Sequence, residues 1–453
     1  MIFLSKKRAP LALLASATVF FASQSAWAVI PIQAWTQASG ARVFLVESPG
    51  IPMLDVKIDF DAGGRRDPAE QAGLASITMG MTSKGVAARG NEPALDENQL
   101  SEAWVDLGAS FGASAGADRA SFSLRTLTAP DLLPKAVALA ARQMGEPAFP
   151  PDIWQRERER IKASLKEANT RPGVLANRAF EGAVYADHPY GYELTEATLA
   201  RIAPADMQRF YSGEILPCRA AVSLVGAVNR AQADALVQQL LARLPQPAAG
   251  AAGCPALPAV PEVAPLTAAR DINIPFASAQ AQVLIGQPGY KRNDPDYFAL
   301  TVGNYILGGG GFVSRLTEQV REKRGLSYSV YSYFSPGLHA GAFTIGLQTR
   351  PDQAAQAVQV SKEVLAKFVA DGPTEAELRA AKDNLVGGFA LRIDNNRKLL
   401  DNVANIAWNR LPLDYLDTWT QQVQGLTTAQ IRAAFARKLQ PEKMVTVVLG
   451  AAQ

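Results

Sequence analysis

The sequence predicts an α+β protein made of two homologous domains, each an antiparallel-rich sheet packed against several helices. Three observations lead to this prediction. In each half of the chain, runs of β-type residues precede long helical segments. A proline-rich segment, residues 245–265, separates the halves and cannot continue a helix or a central strand. Short motifs recur in the same order in both halves, which is typical of a tandem duplication.

The repeat is clearest where a strand leads to an Asp-Pro pair. Val56-Lys57-Ile58 precedes Arg65-Arg66-Asp67-Pro68, and Val283-Leu284-Ile285 precedes Arg292-Asn293-Asp294-Pro295, 227 residues later. Near the ends, Val225-Gly226-Ala227 matches Leu449-Gly450-Ala451. Chance similarity in an alanine-rich chain is the alternative explanation.

Each half contains the same order of elements. Alternating or continuously apolar runs predict strands, and longer segments with helical periodicity predict helices. Several connections between strands are too short for a crossover helix, which favours antiparallel pairs. The predicted strands are Arg42–Glu47, Leu54–Asp61, Ala120–Leu127, Arg219–Val225, Gln280–Gly286, Ala342–Thr349 and Met444–Leu449. The predicted helices are Asp131–Met144, Asp152–Ala168, Ala205–Tyr211, Gln353–Ala370, Glu375–Leu391 and Thr428–Leu439.

The first 28 residues have the composition of a signal peptide. Three basic residues precede an apolar run that ends near Phe21, and Ala26-Trp27-Ala28 supplies small residues at a cleavage site. The apolar run is too short to span a membrane with these flanks, and no other apolar stretch is long enough. We therefore expect an exported, periplasmic protein without a membrane span, with domains at 29–244 and 266–453 and a linker at 245–265.

The charge of the chain argues against a nucleic-acid partner. The whole sequence has 45 Lys and Arg against 42 Asp and Glu, and the three extra cations lie in the expected signal peptide. The mature chain is therefore neutral, unlike a basic nucleic-acid-binding protein. Its two cysteines, Cys218 and Cys254, could form a disulfide in an oxidising compartment or remain buried thiols, and the sequence leaves both possibilities open.

Two motifs in the second half carry a family resemblance. Gly308-Gly309-Gly310-Gly311 is followed by Ser314-Arg315-Leu316 and then by Arg321-Glu322-Lys323-Arg324-Gly325-Leu326-Ser327-Tyr328. With the duplication and Asp187-His188-Pro189-Tyr190-Gly191 of the first half, they resemble the pitrilysin/insulinase metallopeptidases, which include mitochondrial processing peptidase. The resemblance covers the whole mature chain. It implies that the two domains form one half of a clamshell.

The zinc site of that family is degenerate in this sequence. Active members carry H-x-x-E-H on a helix, where two His bind zinc and the Glu activates a water molecule. The corresponding positions here are Ser76, Met79 and Gly80. The family's further carboxylate ligand is expected near Lys166 or Glu167. With only His188 and His339 in the chain, and without ligand spacing, we expect no metal in this chain and a structural role for His188 at the turn before Pro189.

Arg321 and Tyr328 are the candidate catalytic residues. A helix from about Val313 to Lys323, ended by Gly325 in the left-handed conformation, would place Arg321 in its last turn. Tyr328 would follow in a strand. In active relatives the matching pair donates hydrogen bonds to the substrate and to the oxyanion, a role that suits a cationic fork and a neutral hydroxyl. The alternatives are a solvated arginine and a half-buried strand tyrosine.

Gly309, Gly310 and Gly311 have two interpretations. They form either a helix stop with a tight turn or, as the family resemblance suggests, a flexible flap that binds peptide. They do not form a nucleotide-binding loop, because the P-loop spacing and lysine are missing.

Catalysis by other residues is disfavoured. Ser76 has no histidine placed to activate it. Glu157 and Glu159 lie in a run of alternating charge, which is typical of a solvated helix face.

The family resemblance implies a function for a chain that keeps Arg321 and Tyr328 and lacks zinc ligands. It would be the non-zinc subunit of a heterodimeric metallopeptidase, with zinc and H-x-x-E-H supplied by a homologous partner and an extended peptide as substrate. The alternative is a non-catalytic peptide-binding or scaffold protein of the same fold.

Overall fold

The computed structural model describes residues 30–245 and 254–451. The expected signal peptide and residues 246–253 of the expected linker lie outside the described residues. Residues 254–265 run without helix or strand. A disulfide joins Cys218 to Cys254, 36 residues apart in sequence, and so attaches this segment to the first half.

The two halves contain the predicted elements together with several that the sequence analysis missed. The first half has strands β1 (Gln33–Thr36), β2 (Arg42–Glu47), β3 (Met53–Phe60), β4 (Gly85–Val86), β5 (Leu95–Asp96), β6 (Ser110–Ala115), β7 (Ala120–Leu127) and β8 (Ala221–Gly226). Its helices are α1 (Leu74–Met81), α2 (Glu97–Asp106), α3 (Leu133–Gly145), α4 (Pro151–Ala168), α5 (Pro172–Tyr185), α6 (Glu196–Leu199), α7 (Pro204–Glu214) and α8 (Arg230–Leu241). The second half has strands β9 (Arg270–Ile274), β10 (Ala281–Pro288), β11 (Val330–Phe334), β12 (Ala342–Thr349) and β13 (Val445–Leu449), and helices α9 (Tyr297–Asn304), α10 (Ala354–Asp371), α11 (Glu375–Gly387), α12 (Asn396–Asn409), α13 (Tyr415–Gln424) and α14 (Thr428–Lys438).

The sheets of the two halves have equivalent strand orders. The order in the first sheet is β1-β2-β8-β3-β7-β6. Listed from the matching edge, the order in the second sheet is β9-β13-β10-β12-β11, which corresponds to β2-β8-β3-β7-β6. In each sheet the last strand of the half, β8 or β13, is inserted beside the long central strand, and it makes the one parallel pair of that sheet, with β2 or β9. All other pairs in these two sheets are antiparallel. The predicted α+β class and the duplication are confirmed.

One face of each sheet packs against the helices of its own half. In the first half, Phe60, Phe122 and Met144 are among the fully buried side chains of this core. In the second half, Phe343 and Phe435 occupy the corresponding core. These two cores account for most of the apolar area removed from water, the dominant favourable term in folding.

The other face of each sheet is covered by a helix from the opposite half. Helix α5 packs Ala176, Phe180 and Val184 onto β10 and β13 of the second sheet. Helix α12 packs Leu400 and Val403 against β2 and β8 of the first sheet. The halves therefore exchange one helix each and are joined by much more than the linker.

Polar contacts support the exchange of α12. Arg42 of β2 donates a 3.0 Å hydrogen bond to the carbonyl of Ala407, near the end of the helix. Lys57 of β3 donates to Asp401 at 3.2 Å. Neither α5 nor α12 was predicted, and the packing of each on the sheet of the opposite half depends on contacts between distant parts of the chain that a local pattern does not show.

A cluster of polar side chains, which we call the seam, closes the boundary between the halves. Asp118 accepts hydrogen bonds from Arg65 Nε at 3.0 Å, from the Tyr190 hydroxyl at 2.5 Å and from the backbone N–H of Leu338 in the second half at 2.9 Å. The Tyr190 hydroxyl in turn accepts from the backbone N–H of His339. One carboxylate of the seam thus accepts hydrogen bonds from both halves.

Both histidines of the chain lie in the seam, with ring centroids 5.2 Å apart. His188 Nδ1 accepts from the backbone N–H of Tyr190, and Nε2 lies 3.0 Å from the carbonyl oxygen of Pro261, to which it donates. His188 therefore has the predicted structural role before Pro189. His339 Nδ1 lies 3.2 Å from a carboxylate oxygen of Glu262.

Candidate functional site

Helix α1 carries the degenerate motif positions in the expected helical arrangement. Asp67 fixes its start, since its carboxylate accepts from the backbone N–H groups of Gly73 and Ala75, both at 2.9 Å. Ser76 is exposed, and a Cβ added at Gly80, one turn further on, would meet no atom within 4 Å. Met79 is completely buried. The helix therefore presents a bare surface where the family has zinc ligands.

The residues of this chain do not fit a zinc ion. The thioether of Met79 lies in the core, and Ser76 offers one weak neutral oxygen. Within residues 30–245 and 254–451, no group of three His, Cys, Asp or Glu side chains comes together as a set of metal ligands.

Glu157 of α4 lies beside Lys84, which follows the end of α1, whereas Lys166 and Glu167, near which the family's further carboxylate ligand is expected, are exposed further along the same helix. Glu157 is 6% exposed, so its interpretation as part of a solvated face is wrong, although Glu159 is exposed as predicted. The carboxylate oxygens of Glu157 lie 3.1 Å from Lys84 Nζ and 2.7 Å from Arg160 Nη2.

Glu157 is fully engaged by these cations. Burial alone would raise the pKa of Glu157, but the hydrogen bonds from Arg160 and Lys84 hold it below its ordinary value. Lys84 also lies 3.2 Å from Glu97. A lysine ammonium group, which is a compact point charge, thus neutralises the buried carboxylate of Glu157.

The segment that carries Arg321 differs in detail from the predicted helix. A π-helical turn, Thr317–Glu322, replaces a regular α-helix, and its apolar side chains Leu316 and Val320 are buried as predicted. Gly325 has φ +61°, and the N–H groups of Gly325 and Leu326 bond the carbonyls of Arg321 and Val320. The bond from Gly325 to Arg321 is that of an αL termination, with glycine at the C′ position that the sequence predicted.

Tyr328 lies just before a strand, not within it. Strand β11 begins at Val330, where it pairs with Leu347 of β12. Ahead of that point the hydroxyl of Ser327 donates to backbone carbonyl oxygens and accepts from the N–H of Ser329. Such side-chain bonds compete with the strand ladder, so Tyr328 projects outward and is 82% exposed.

Arg321 and Tyr328 meet, as the sequence analysis expected. The guanidinium carbon of Arg321 lies 4.9 Å from the ring centroid of Tyr328 and 4.7 Å from that of Phe312. Two aromatic rings therefore flank one guanidinium group in cation–π contact. The nearest acidic oxygen is Glu322 Oε1, 3.5 Å from Nε. Phe312 was not predicted, and its only signal in the sequence is its place directly after the glycine run.

The glycines that precede Phe312 have different structural roles. A Cβ at Gly309 would lie 2.8 Å from Asn304 Nδ2, and one at Gly310 would lie 2.7 Å from the Tyr305 carbonyl oxygen. These two glycines are required by the close packing of the helix end, which the structure continues as a π-helical turn to Gly309. Gly311, with φ +61° and open space around it, forms the tight turn. A flap that binds peptide stays a prediction.

No helix in the described part of the chain is long and apolar enough to cross a membrane. This observation bears only on residues 30–245 and 254–451.

Comparisons with known proteins place this architecture in a family. Residues 42–198 match a family model described as insulinase (peptidase family M16), and residues 201–385 match one described as the peptidase M16 inactive domain. A crystal structure of a peptidase M16 inactive domain from Pseudomonas fluorescens is 34% identical, with a TM-score of 0.86, and covers 93% of this chain and 98% of its own. The periplasmic protease PqqL from Escherichia coli has a similar fold, with a TM-score of 0.74 at 21% identity, over 99% of this chain and 49% of PqqL.

Relatives known from sequence carry two kinds of name. An uncharacterized zinc protease of Mycobacterium leprae is 27% identical over 92% of this chain and 91% of its own length. A protein of Helicobacter pylori named non-peptidase homolog YmxG is 25% identical over 86% of this chain and 87% of its own length. With two family models matched in succession and a solved relative aligned along nearly its whole length, the chain belongs to the insulinase family of peptidases, family M16, as a member without the family's zinc motif.

Proposed function

We propose that this chain is the non-zinc subunit of an exported, heterodimeric metallopeptidase of the insulinase family. Its partner would be a homologous chain that carries H-x-x-E-H and zinc. The two would close on each other as halves of a clamshell around an extended peptide. In this complex Arg321 and Tyr328 act on the substrate that the partner's zinc site cleaves.

The observation that carries the proposal is the environment of Arg321. The metal positions on α1 are bare or buried, whereas the partly exposed Arg321 side chain lies against two exposed aromatic rings. The contact at 3.5 Å to Glu322 is too long to use those donors fully. A guanidinium fork held in this way can bind a peptide carbonyl and stabilise the negative charge that develops on it during hydrolysis.

Tyr328 complements Arg321 chemically. Its hydroxyl is a neutral donor that can bind the same oxygen or the neighbouring backbone without adding charge. Ordering of the peptide by addition to a free sheet edge, such as that of β6 or β11, would supply the rest of the binding energy.

Activity of the assembled complex tests the proposal. We expect Arg321→Ala, with the zinc subunit present, to lower peptide hydrolysis about 100-fold or more, the usual effect of losing an oxyanion donor. Tyr328→Phe should lower it less, because one neutral donor is lost and the ring is kept. Arg324→Ala is the matched control, since that exposed arginine donates to Gln319 of its own segment. An unchanged rate in Arg321→Ala would refute the role of this residue.

Isolation of the partner tests the assembly and the location. The tagged mature chain would be recovered from the periplasmic fraction and its companions quantified. A one-to-one partner with H-x-x-E-H would support the heterodimer. Recovery of the chain alone would favour the second candidate, a non-catalytic peptide-binding or scaffold protein. The name of the Helicobacter pylori relative, a non-peptidase homolog, is the observation that favours this second candidate.

A further inference from the structure

Phe312, Val313 and Tyr328 form an exposed apolar surface around Arg321, which we call the aromatic tip. Phe312 and Val313 are each 73% exposed, and Tyr328 is more exposed still. An isolated apolar residue at a protein surface needs no explanation. Here, however, large apolar side chains gather at the cation that the proposed function assigns to substrate binding.

The aromatic tip is held in place by the chain on both sides. Before it, the backbone N–H of Gly310 bonds the carbonyl of Tyr305. After it, the hydroxyl of the fully buried Ser314 lies 2.8 Å from the carbonyl of Gly311 and 3.1 Å from Thr317 Oγ1. Gly311, in the left-handed conformation, turns the chain so that Phe312 points outward. The exposure of Phe312 is therefore fixed by buried contacts.

The Arg321 guanidinium and the aromatic rings beside it can bind different parts of a ligand. The rings of Phe312 and Tyr328 both lie within cation–π distance of the Arg321 guanidinium, and its N–H groups are the part that binds carbonyl and carboxylate oxygens. Residues of an extended peptide follow one another about every 3.3 Å, so a side chain next to the bound carbonyl can reach a ring whose centroid is 4.7 Å from the guanidinium carbon. A side chain that packs on the outer surface of Phe312 removes apolar area of both partners from water.

We propose that Phe312 determines specificity by selecting peptides with a large apolar side chain beside the carbonyl that Arg321 binds. This inference rests on the proposed function for the identity of the ligand as an extended peptide. It adds that the site binds large apolar side chains and that Phe312 is the residue that contacts them.

Binding of peptides to the mature chain without its partner tests the inference. The probes are two labelled, unstructured peptides that differ only in Phe or Ser at one central position, and binding is followed by fluorescence anisotropy. We expect Phe312→Ala to weaken the Phe peptide about tenfold, a usual effect of one apolar contact, and to leave the Ser peptide nearly unchanged. Phe312→Leu should retain most of the preference, because it keeps an apolar surface.

Equal weakening of both peptides by Phe312→Ala would overturn the inference, because it would mean that the ring only positions Arg321. No weakening of either peptide would overturn it as well. Leu391→Ala, at an exposed apolar residue elsewhere in the second half, is the matched control and should change neither affinity. Failure of the proposed function is seen separately, as an unchanged rate of hydrolysis in Arg321→Ala with the zinc subunit present.

Discussion

Asp118 should contribute more to stability than its single carboxylate suggests, because it joins the two halves. Its replacement by Ala removes the acceptor for the Arg65 guanidinium, for the Tyr190 hydroxyl and for the Leu338 N–H group. Arg65 is 5% exposed and would keep one partner, Asp61, at 2.5 Å. A buried donor left without its acceptor loses its water contacts without compensation.

The size of the effect follows from these contacts. Hydrogen bonds to charged groups contribute about 1.5–3 kcal/mol each, and truncating one partner of a buried charged network costs about 3–5 kcal/mol. We expect Asp118→Ala to lower the free energy of unfolding by about 3–5 kcal/mol. Tyr190→Phe should lower it by about 2–3 kcal/mol, since the bond to Asp118 and the bond from the His339 N–H group are both lost and the packing stays.

Urea unfolding of the mature chain, followed by tryptophan fluorescence, measures both changes. In the double variant the two losses should not add, because they remove the same hydrogen bond. Asp131→Ala, at an exposed residue just before α3, is the matched control and should change stability by less than about 0.5 kcal/mol. The reasoning would be refuted if Asp118→Ala were no more destabilising than Asp131→Ala.

Three further predictions concern other parts of the fold. A Cβ at Gly308 would lie 2.4 Å from the Ser332 hydroxyl oxygen and 2.6 Å from the Ser332 backbone nitrogen, so Gly308→Ala should lower the melting temperature. Gly80→Ala, in open space on a helix, should instead stabilise the protein by up to about 1 kcal/mol. Equal effects of the two substitutions on the melting temperature would contradict this reasoning. Burial, followed by the proximity of His339, holds the pKa of His188 below its ordinary value, so the folded state binds fewer protons than the unfolded state and stability should fall as the pH drops below about 6.5. His188→Gln should make stability between pH 7 and 5 less pH-dependent, and an unchanged slope would refute the assignment. Removal of the disulfide by Cys218→Ala with Cys254→Ala opens a loop of 36 residues. It should lower the free energy of unfolding, measured by denaturant titration, by about 4 kcal/mol. No change would mean that the loop is already restrained in the unfolded chain.

The sequence was sufficient for features that depend on local pattern. Strand β3 and its counterpart β10 were placed almost to the residue, because apolar residues alternate with polar ones along β3 and Val283-Leu284-Ile285 form an apolar run in β10. The left-handed Gly325 was predicted from its place at a helix end. The meeting of Arg321 with Tyr328 followed from the family resemblance and from their position around that glycine.

Features that depend on distant parts of the chain could not be predicted. Glu157 looked solvated because it lies among alternating charges, and only the fold brings Lys84 to it. Tyr328 was placed in a strand because nothing in its own pattern shows that the Ser327 side chain takes over the backbone bonds there. Phe312 received no assignment, since the exposure of an aromatic ring is set by the turn that carries it.

The exchange of α5 and α12 between the halves has a consequence for the origin of the chain. A single half, separated from the other, would leave one sheet face uncovered and one helix without a surface to pack on. Two identical copies of such a half would satisfy each other through the same reciprocal contact, as in a twofold domain-swapped dimer. The fold thus has the reciprocal arrangement of a domain-swapped homodimer, with both halves joined in one polypeptide. Because the halves are parts of one chain and not identical subunits, α1 of the first half and the aromatic tip of the second can differ from their counterparts.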